Sequence, residues 1–432
     1  MKRMASIKII SYLWLGSILG SGFAFLTQAV LARELGVSNF GKFSAALGII
    51  NLATPLAGFG VSSFWLQAFG KEGWGAVRWL KSSILLITST TSATLIIVLA
   101  WAYIGPNDKA TQNILFILCC FLAGQAMLEL FCTRLQLEER YISIAIWQVA
   151  PQLLRLILIL ITFLLFGKES TPELAAYIYT ASSIAILTYG ALSLIKMANG
   201  DLKLKGHGKK PNQSSNQRQP RPLDLVVLSW PFGASTYFHI IYFQSNIIIL
   251  NYIAGSESAG LYNSAFLILS AIYILPNTIY QKFLLPKLHR WSAHQPELLY
   301  RVYKTGNLLM LATGTIAATA LITLSSSIIP LIFGDSFQPA ILPLKVLALA
   351  IPIRFVATSI GAMLTSSQSI KKKIKLMLVT AVFSLTFNTI LIPKFGLLGA
   401  AITSLASEVL LLVLFTYAVK KIVFSKNHQQ NK

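Results

Sequence analysis

The feature that most constrains this chain is a succession of apolar runs, each long enough to cross a lipid bilayer. A helical span needs about 20 apolar residues, because a rise of 1.5 Å per residue has to cover a hydrocarbon core of about 30 Å. Runs of that kind fall at roughly 9–32, 42–66, 82–104, 112–134, 143–166 and 174–195, and again at 225–254, 261–285, 306–333, 343–366, 376–393 and 397–419. Inside a bilayer every backbone N–H and C=O must be satisfied within the protein, so runs this long and this uniformly apolar are read as helices. The pattern predicts an all-α integral membrane protein with about 12 transmembrane helices. Charge content agrees: 12% of the 432 residues are charged, about half the ~25% of a soluble domain, and the mean hydropathy is +0.66.

The first run follows Lys2, Arg3 and Lys8. It is too long for the core of a signal peptide and has no small-x-small cleavage site before Arg33, so it reads as an uncleaved first span. The chain carries 36 Lys and Arg against 14 Asp and Glu, a formal net charge of +22. With the N-terminus inside, 28 of the 36 basic residues fall on the inner side, 6 on the outer side, and Arg155 and Arg354 lie within spans. Lys and Arg collect in cytoplasmic loops, so the distribution puts both termini in the cytoplasm. It accounts for the charge without nucleic acid as a partner.

The two halves repeat. LGVSNFGKFSAA after the first span and AGSESAGLYNSA after the seventh share Gly-x4-Gly-x-aromatic, with Gly36, Gly41 and Phe43 matching Gly255, Gly260 and Tyr262 at an offset of 219. AAYIYTASS (175–183) matches AAITSLASE (400–408), and Pro55 and Pro276 interrupt corresponding spans. Six spans per half is an even number, so the halves run the same way through the membrane as parallel repeats. This divides the chain into a lobe at 1–195, a polar linker at 196–224 read as solvated and cytoplasmic, and a lobe at 225–432. The Asn212-Gln213-Ser214 sequon lies on the inner side, away from glycosylation. The cluster Lys371, Lys372, Lys373 and Lys375 reads as a topology signal.

LARELGVSNFGKFSAALGIINLATPLAGFG (31–60), SWPFGASTYFHIIYFQSNIIILNYIAGSESAGLYNSAF (229–266) and IPKFGLLGAAITSLASEVL (392–410) resemble, in order along the chain, the bacterial polysaccharide-biosynthesis flippases of the Wzx type. The resemblance implies the multidrug/oligosaccharidyl-lipid/polysaccharide exporter fold, with two six-helix lobes around a central cavity. It further implies translocation of an undecaprenyl-pyrophosphate-linked glycan (an O-antigen, capsule or exopolysaccharide repeat unit) across the bacterial inner membrane by alternating access. A polysaccharide polymerase and a chain-length regulator are the expected protein partners. The family's seventh span often carries an Asp four residues before a Leu-Gly pair; here Asn246 and Leu250-Asn251 stand at those positions.

Charges within spans are costly and face a cavity or a partner. Arg155 lies near the middle of the fifth span and continues a polar stripe, Gln148, Gln152, Arg155, at i, i+4 and i+7. Arg354 is similarly placed in the tenth. A guanidinium fork matches phosphate oxygens and stays charged at any relevant pH, so the two arginines are candidates for a cationic cavity that holds a pyrophosphate. The rival arrangement pairs them with Glu129 or Glu408, which are also the intramembrane candidates for proton or sodium coupling. Arg33, beside Glu34 at the outer end of the first span, is a candidate contact at the exit.

Cys119, Cys120 and Cys132 share one apolar run and read as buried small hydrophobes, not a metal or disulfide set. There is no P-loop, HExxH or Gly-x-Ser-x-Gly, so the reading is a transporter and no cofactor is expected. A drug or cation antiporter and a peptidoglycan-precursor flippase share the expected fold. A membrane polymerase or ligase is disfavoured by the short outer loops.

Overall fold

The computed structural model describes residues 2–166, 171–205, 208, 220–284, 296–364 and 370–421. Among them the chain is helical with short connections and forms no strand. The helices are α1 (Lys2–Gly58), α2 (Val61–Glu72), α3 (Leu80–Ile104), α4 (Lys109–Leu137), α5 (Tyr141–Phe166), α6 (Pro172–Ala198), α7 (Pro222–Ile253), α8 (Gly255–Asn277), α9 (Pro296–Phe333), α10 (Ile341–Ala348), α11 (Ala350–Met363) and α12 (Ile370–Val419). Seven helical stretches of the described chain are long and apolar enough to cross a membrane, eight when Asp335–Ala348 and Ala350–Met363, bent by 44°, count as one. Two of them, Trp14–Ile104 and Lys371–Val419, are much longer than one crossing. The expected span at 225–254 lies in α7, outside that set, because His239, Gln244, Ser245 and Asn246 lower its hydropathy.

Breaks fall where the sequence supplies residues that a helix cannot absorb. α1 is interrupted at Gly36 (φ 72°, ψ 173°) and α12 at Gly396 (φ 53°, ψ −127°), backbone conformations that favour glycine. Asp108 caps α4 by accepting a hydrogen bond from the Thr111 N–H at 3.0 Å. Thr171 caps α6 with Pro172 in its first turn.

The chain divides into two compact units. The first holds the residues up to Thr27 and Ala46–Tyr237; the second holds Gln28–Ala45 and the chain from Phe238 onward. In the first unit α4 packs closely on α6. A Cβ on Gly124 of α4 would stand 2.6 Å from the Ser183 Cβ on α6. Gly16 and Gly20 of α1 pack against α5, where a Cβ on Gly16 would meet the Ala145 Cβ at 2.8 Å. One hydrophobic core of this unit gathers the buried rings of Phe64, Trp65, Phe69 and Trp79. Leu202 and Leu204 are buried in that core, and the Lys205 N–H donates to the Leu137 carbonyl. The start of the expected solvated linker is therefore packed: alternate leucines share one face of an extended segment, and that face is covered. The sequon lies outside the described residues, as do the rest of the linker's middle and the charged C-terminal tail.

In the second unit α9 packs on α11, and α11 on α12. Gln28–Ala45 belongs here because it packs against the start of α8. Outward positions on both units are apolar, with Ile96, Leu164, Leu331 and Val413 all well exposed. A surface of this kind is stable in contact with lipid.

Candidate functional site

The first unit contains a cavity of about 470 Å³, within the ~300–1,000 Å³ range of ligand pockets. On α4, Gln125, Glu129, Thr133 and Gln136 recur at i, i+4, i+8 and i+11 and so share one face. That face lines the cavity together with Thr54 of α1, Ser62 and Ser63 of α2, and Gln148 of α5. The Ser62 hydroxyl donates to Glu129 Oε1, and Ser17 donates to Gln148 Oε1 at 3.4 Å. Gln125 Nε2 is buried with no hydrogen-bond partner among the described residues. Among the described residues no Lys, Arg or His lines the cavity. The nearest cation along α4, Arg134, is turned away: its guanidinium donates to Glu138 at 3.2 Å, to both oxygens of Ser193, and to the Asp201 carbonyl at 2.7 Å.

The expected stripe on α5 divides. Gln148 faces the cavity; Gln152 instead accepts a hydrogen bond from Arg155 Nη1 at 3.2 Å. Arg155 is 3% exposed and lies against the paired rings of Phe121 and Tyr179, with its guanidinium carbon 4.8 Å from each centroid. Its Nε donates to Ser182 at 2.7 Å, and its Nη2 has no hydrogen-bond partner among the described residues. No carboxylate lies within ion-pair distance of it among the described residues. Two aromatic faces take the place of a counter-ion, an arrangement available to a cation because the face of a ring is electronegative.

In the second unit Arg354 Nη1 stands 3.1 Å from Glu408 Oε1, both side chains buried, and donates to the Tyr242 hydroxyl. The guanidinium carbon lies 5.5 Å from the rings of Phe243 and Tyr273. The rival arrangement foreseen for Arg354 is the one present, an ion pair joining α11 to α12. The space beside it, about 10 Å³, has room for about one water. His239 rests against Phe243 and shares a 3.2 Å hydrogen bond with Tyr242.

A neutral polar cluster lies in the same unit. Asn246 Nδ2 donates to Tyr262 at 2.8 Å and to Ser404 at 2.5 Å, and Asn388 donates to Asn246 Oδ1. Arg33 and Glu34 are both exposed on α1. Of the three cysteines only Cys119 is buried; Cys120 is exposed and Cys132 half-buried at the cavity wall. The reading of all three as buried hydrophobes therefore fails for two. They occupy three different faces of α4: Cys119 faces the packed interior, Cys132 the cavity, and Cys120 the outside. The described residues contain no group of three or more His, Cys, Asp or Glu placed to hold a metal ion.

Sequence reasoning named Glu129 and Gln148 but missed Gln125, Thr133 and Gln136, although their spacing on one helical face was the signal. It also missed the aromatic cages, since rings brought together from different helices leave no local pattern.

Buried ion pairs, caged arginines and a polar cavity within helices whose outer faces are apolar define a polytopic membrane protein with polar interior sites. Its fold is that of the MOP superfamily of transporters. The chain matches an inward-facing multidrug-resistance transporter of the MATE family with a TM-score of 0.70 at 16% identity, covering 96% of this chain and 98% of that one. It matches the lipid II flippase MurJ in an inward closed conformation with a TM-score of 0.69 at 15% identity, covering 94% and 87%. In sequence it is 24% identical over 423 residues to the probable low-salt glycan biosynthesis flippase Agl15 of Haloferax volcanii, covering 96% of this chain and 83% of that protein. Residues 6–291 match the polysaccharide biosynthesis protein family, and the chain belongs to it.

Proposed function

We propose that this protein is a flippase for undecaprenyl-pyrophosphate-linked oligosaccharide repeat units, moving them from the cytoplasmic to the outer leaflet of the bacterial inner membrane by alternating access. The observation that carries the reading is a polar cavity held by lipid-facing helices in a chain of the polysaccharide biosynthesis family. Such a cavity gives hydroxyl-rich cargo a path that hydrocarbon denies it. The likeness to Agl15 over nearly the whole chain supports the same class of cargo. Both termini lie in the cytoplasm on the positive-inside distribution.

Arg155 is the candidate for the pyrophosphate. Among the described residues it has no carboxylate partner and keeps one unpartnered guanidinium nitrogen, a donor of the kind that bonds phosphate oxygens. Arg354, committed to Glu408, is assigned to helix locking. Gln152 positions Arg155, and Arg33 is the candidate contact at exit. A polysaccharide polymerase and a chain-length regulator are the partners that receive the product. Drug or cation antiport is the second reading, favoured by one observation: among the described residues, the only charged group lining the cavity is the carboxylate of Glu129.

The test is deletion of the gene in its host, followed by assay of lipid-linked oligosaccharides on each membrane face. Complete repeat units trapped on the cytoplasmic face, with surface polymer absent, are the expected result. Units accumulating on the outer face refute the reading and point to a polymerase or ligase.

A further inference from the structure

We propose that the cavity of the first unit is a sugar subsite: it binds a hydroxyl-rich ring of the glycan, apart from the pyrophosphate, with Glu129 as its principal acceptor. The inference rests on the flippase reading and adds to it which part of the cargo goes where. The chemistry of the lining decides the ligand class. A phosphate or pyrophosphate is disfavoured, because among the described residues the cavity offers a carboxylate and no cation, and Arg134 on the same helix is engaged elsewhere. What remains is a set of amides and hydroxyls, Gln125, Gln136, Gln148, Ser62 and Thr54, around one carboxylate. Amides and hydroxyls offer both donors and acceptors, which matches the alternating donors and acceptors of a sugar. Glu129 Oε1 is taken by Ser62, and no hydrogen bond to Oε2 is present among the described residues. An adjacent sugar hydroxyl would make a charge-assisted bond there. The buried, unpartnered Gln125 Nε2 is a donor whose cost is removed when a ligand oxygen reaches it. The volume, about 470 Å³, is far more than the ~30 Å³ share of one water.

Cys132 stands in the cavity wall and gives a readout independent of transport. The experiment uses the full-length protein with Cys119→Ala and Cys120→Ala, reconstituted in nanodiscs of phosphatidylethanolamine and phosphatidylglycerol. Cys132 is labelled with a cationic methanethiosulfonate reagent, and three probes compete: the host's own oligosaccharide freed from its lipid by mild acid, inorganic pyrophosphate, and tetraphenylphosphonium. The free oligosaccharide is expected to slow labelling roughly tenfold at about ten times its half-protecting concentration, as simple mass action requires. Pyrophosphate is expected to leave the rate unchanged. Glu129→Gln and Gln125→Leu are each expected to raise the half-protecting concentration by about ten- to a hundredfold, the loss of one hydrogen bond to a charged or desolvated group. Each variant's half-protecting concentration is read against its own rate of labelling without probe, and reaction of Cys132 in both variants shows that the cavity still admits the reagent.

Three results overturn the subsite. One is a Cys132 that never reacts, since the cavity must admit water. Another is protection by tetraphenylphosphonium and not by the oligosaccharide, which assigns the cavity to a cation. The third is oligosaccharide protection that neither variant changes. Failure here is distinguishable from failure of the flippase reading. A deletion strain that traps lipid-linked glycan on the cytoplasmic face, with no protection of Cys132, removes the subsite alone; a deletion strain that still exports its glycan removes both.

Discussion

Gly41 and Gly260, 219 positions apart in the chain, lie against each other in the second unit, each filling the space that a side chain on the other would need. A Cβ on Gly41 would stand 1.7 Å from the Ser256 carbonyl oxygen and 2.9 Å from the Gly260 nitrogen. A Cβ on Gly260 would stand 2.2 Å from the Val37 carbonyl oxygen and 3.1 Å from the Gly41 nitrogen. Residues 37 and 256 are themselves equivalent in the repeat, so the contact is reciprocal. Around it, Asn263 donates to its repeat equivalent Ser44 at 2.8 Å, and Ser38 and Ser256 hydroxyls meet at 3.1 Å. The two copies of one hairpin motif clasp each other through their backbones.

This clasp has no room for a methyl group. Gly41→Ala and Gly260→Ala are each expected to destabilise the purified protein by about 1–3 kcal/mol or more, the usual cost of overpacking, measured as a fall in unfolding temperature in detergent. Because both residues act at one contact, the double variant should cost less than the two singles added. Full additivity would show that the two sites do not share the contact.

The Arg354–Glu408 pair leads to a different pattern. Removing one buried partner leaves a charge without compensation, so Arg354→Met or Glu408→Leu should each cost about 3–5 kcal/mol. Removing both should restore most of the stability, since a well-packed apolar pair replaces a buried ion pair at little cost. Thermal unfolding of the two single variants and the double variant completes the cycle. A double variant as unstable as the worse single would mean that the residues stabilise the fold through other contacts, Tyr242 foremost.

Asn246 holds three groups at once. In Asn246→Leu, Tyr262 and Ser404 keep their mutual hydrogen bond at 2.7 Å. Asn388 loses its acceptor, and its own side-chain oxygen already has no partner among the described residues. The expected cost is about 1–3 kcal/mol, the penalty of an orphaned buried amide. Adding Asn388→Leu removes the orphan and should recover part of that loss, again measured by unfolding in detergent.

Much of the fold was legible because hydrocarbon imposes a strict rule on a chain: long apolar runs must become helices. The repeat was legible too, and the backbone repeats with it, since Gly36 and Gly255 both take positive φ, 72° and 86°. That the two copies would pack on each other was not legible, because a 219-residue separation has no local signature. In the candidate site, Glu129 and Gln148 stood out as polar residues in apolar surroundings. Arg354 and Glu408 stood out in the same way, but which carboxylate would pair with which arginine did not. Glu408 lies 54 residues along the chain on another helix, and periodicity within one helix carries no information about which helix lies opposite. The solvated linker was misread at Leu202 and Leu204 for a related reason: two leucines in a polar run look incidental until the core that receives them is in place.

Arg155 tests the transport reading most directly. Its surroundings, two ring faces and a serine, stabilise a cation without neutralising it. Arg155→Met keeps length and apolar packing while removing the charge. A buried cation replaced by a well-packed apolar chain is tolerated or mildly favourable, so the variant should accumulate to normal levels with an unchanged unfolding temperature. If the guanidinium holds a pyrophosphate oxygen, export of lipid-linked glycan should fall by at least about tenfold, the loss of one charge-assisted contact. Arg155→Lys keeps the charge but not the planar fork, so it should retain intermediate export. Surface polymer measured against protein level separates the outcomes. Full export with Met at this position would make Arg155 a packing residue, whereas loss of export with normal abundance would assign it to the cargo.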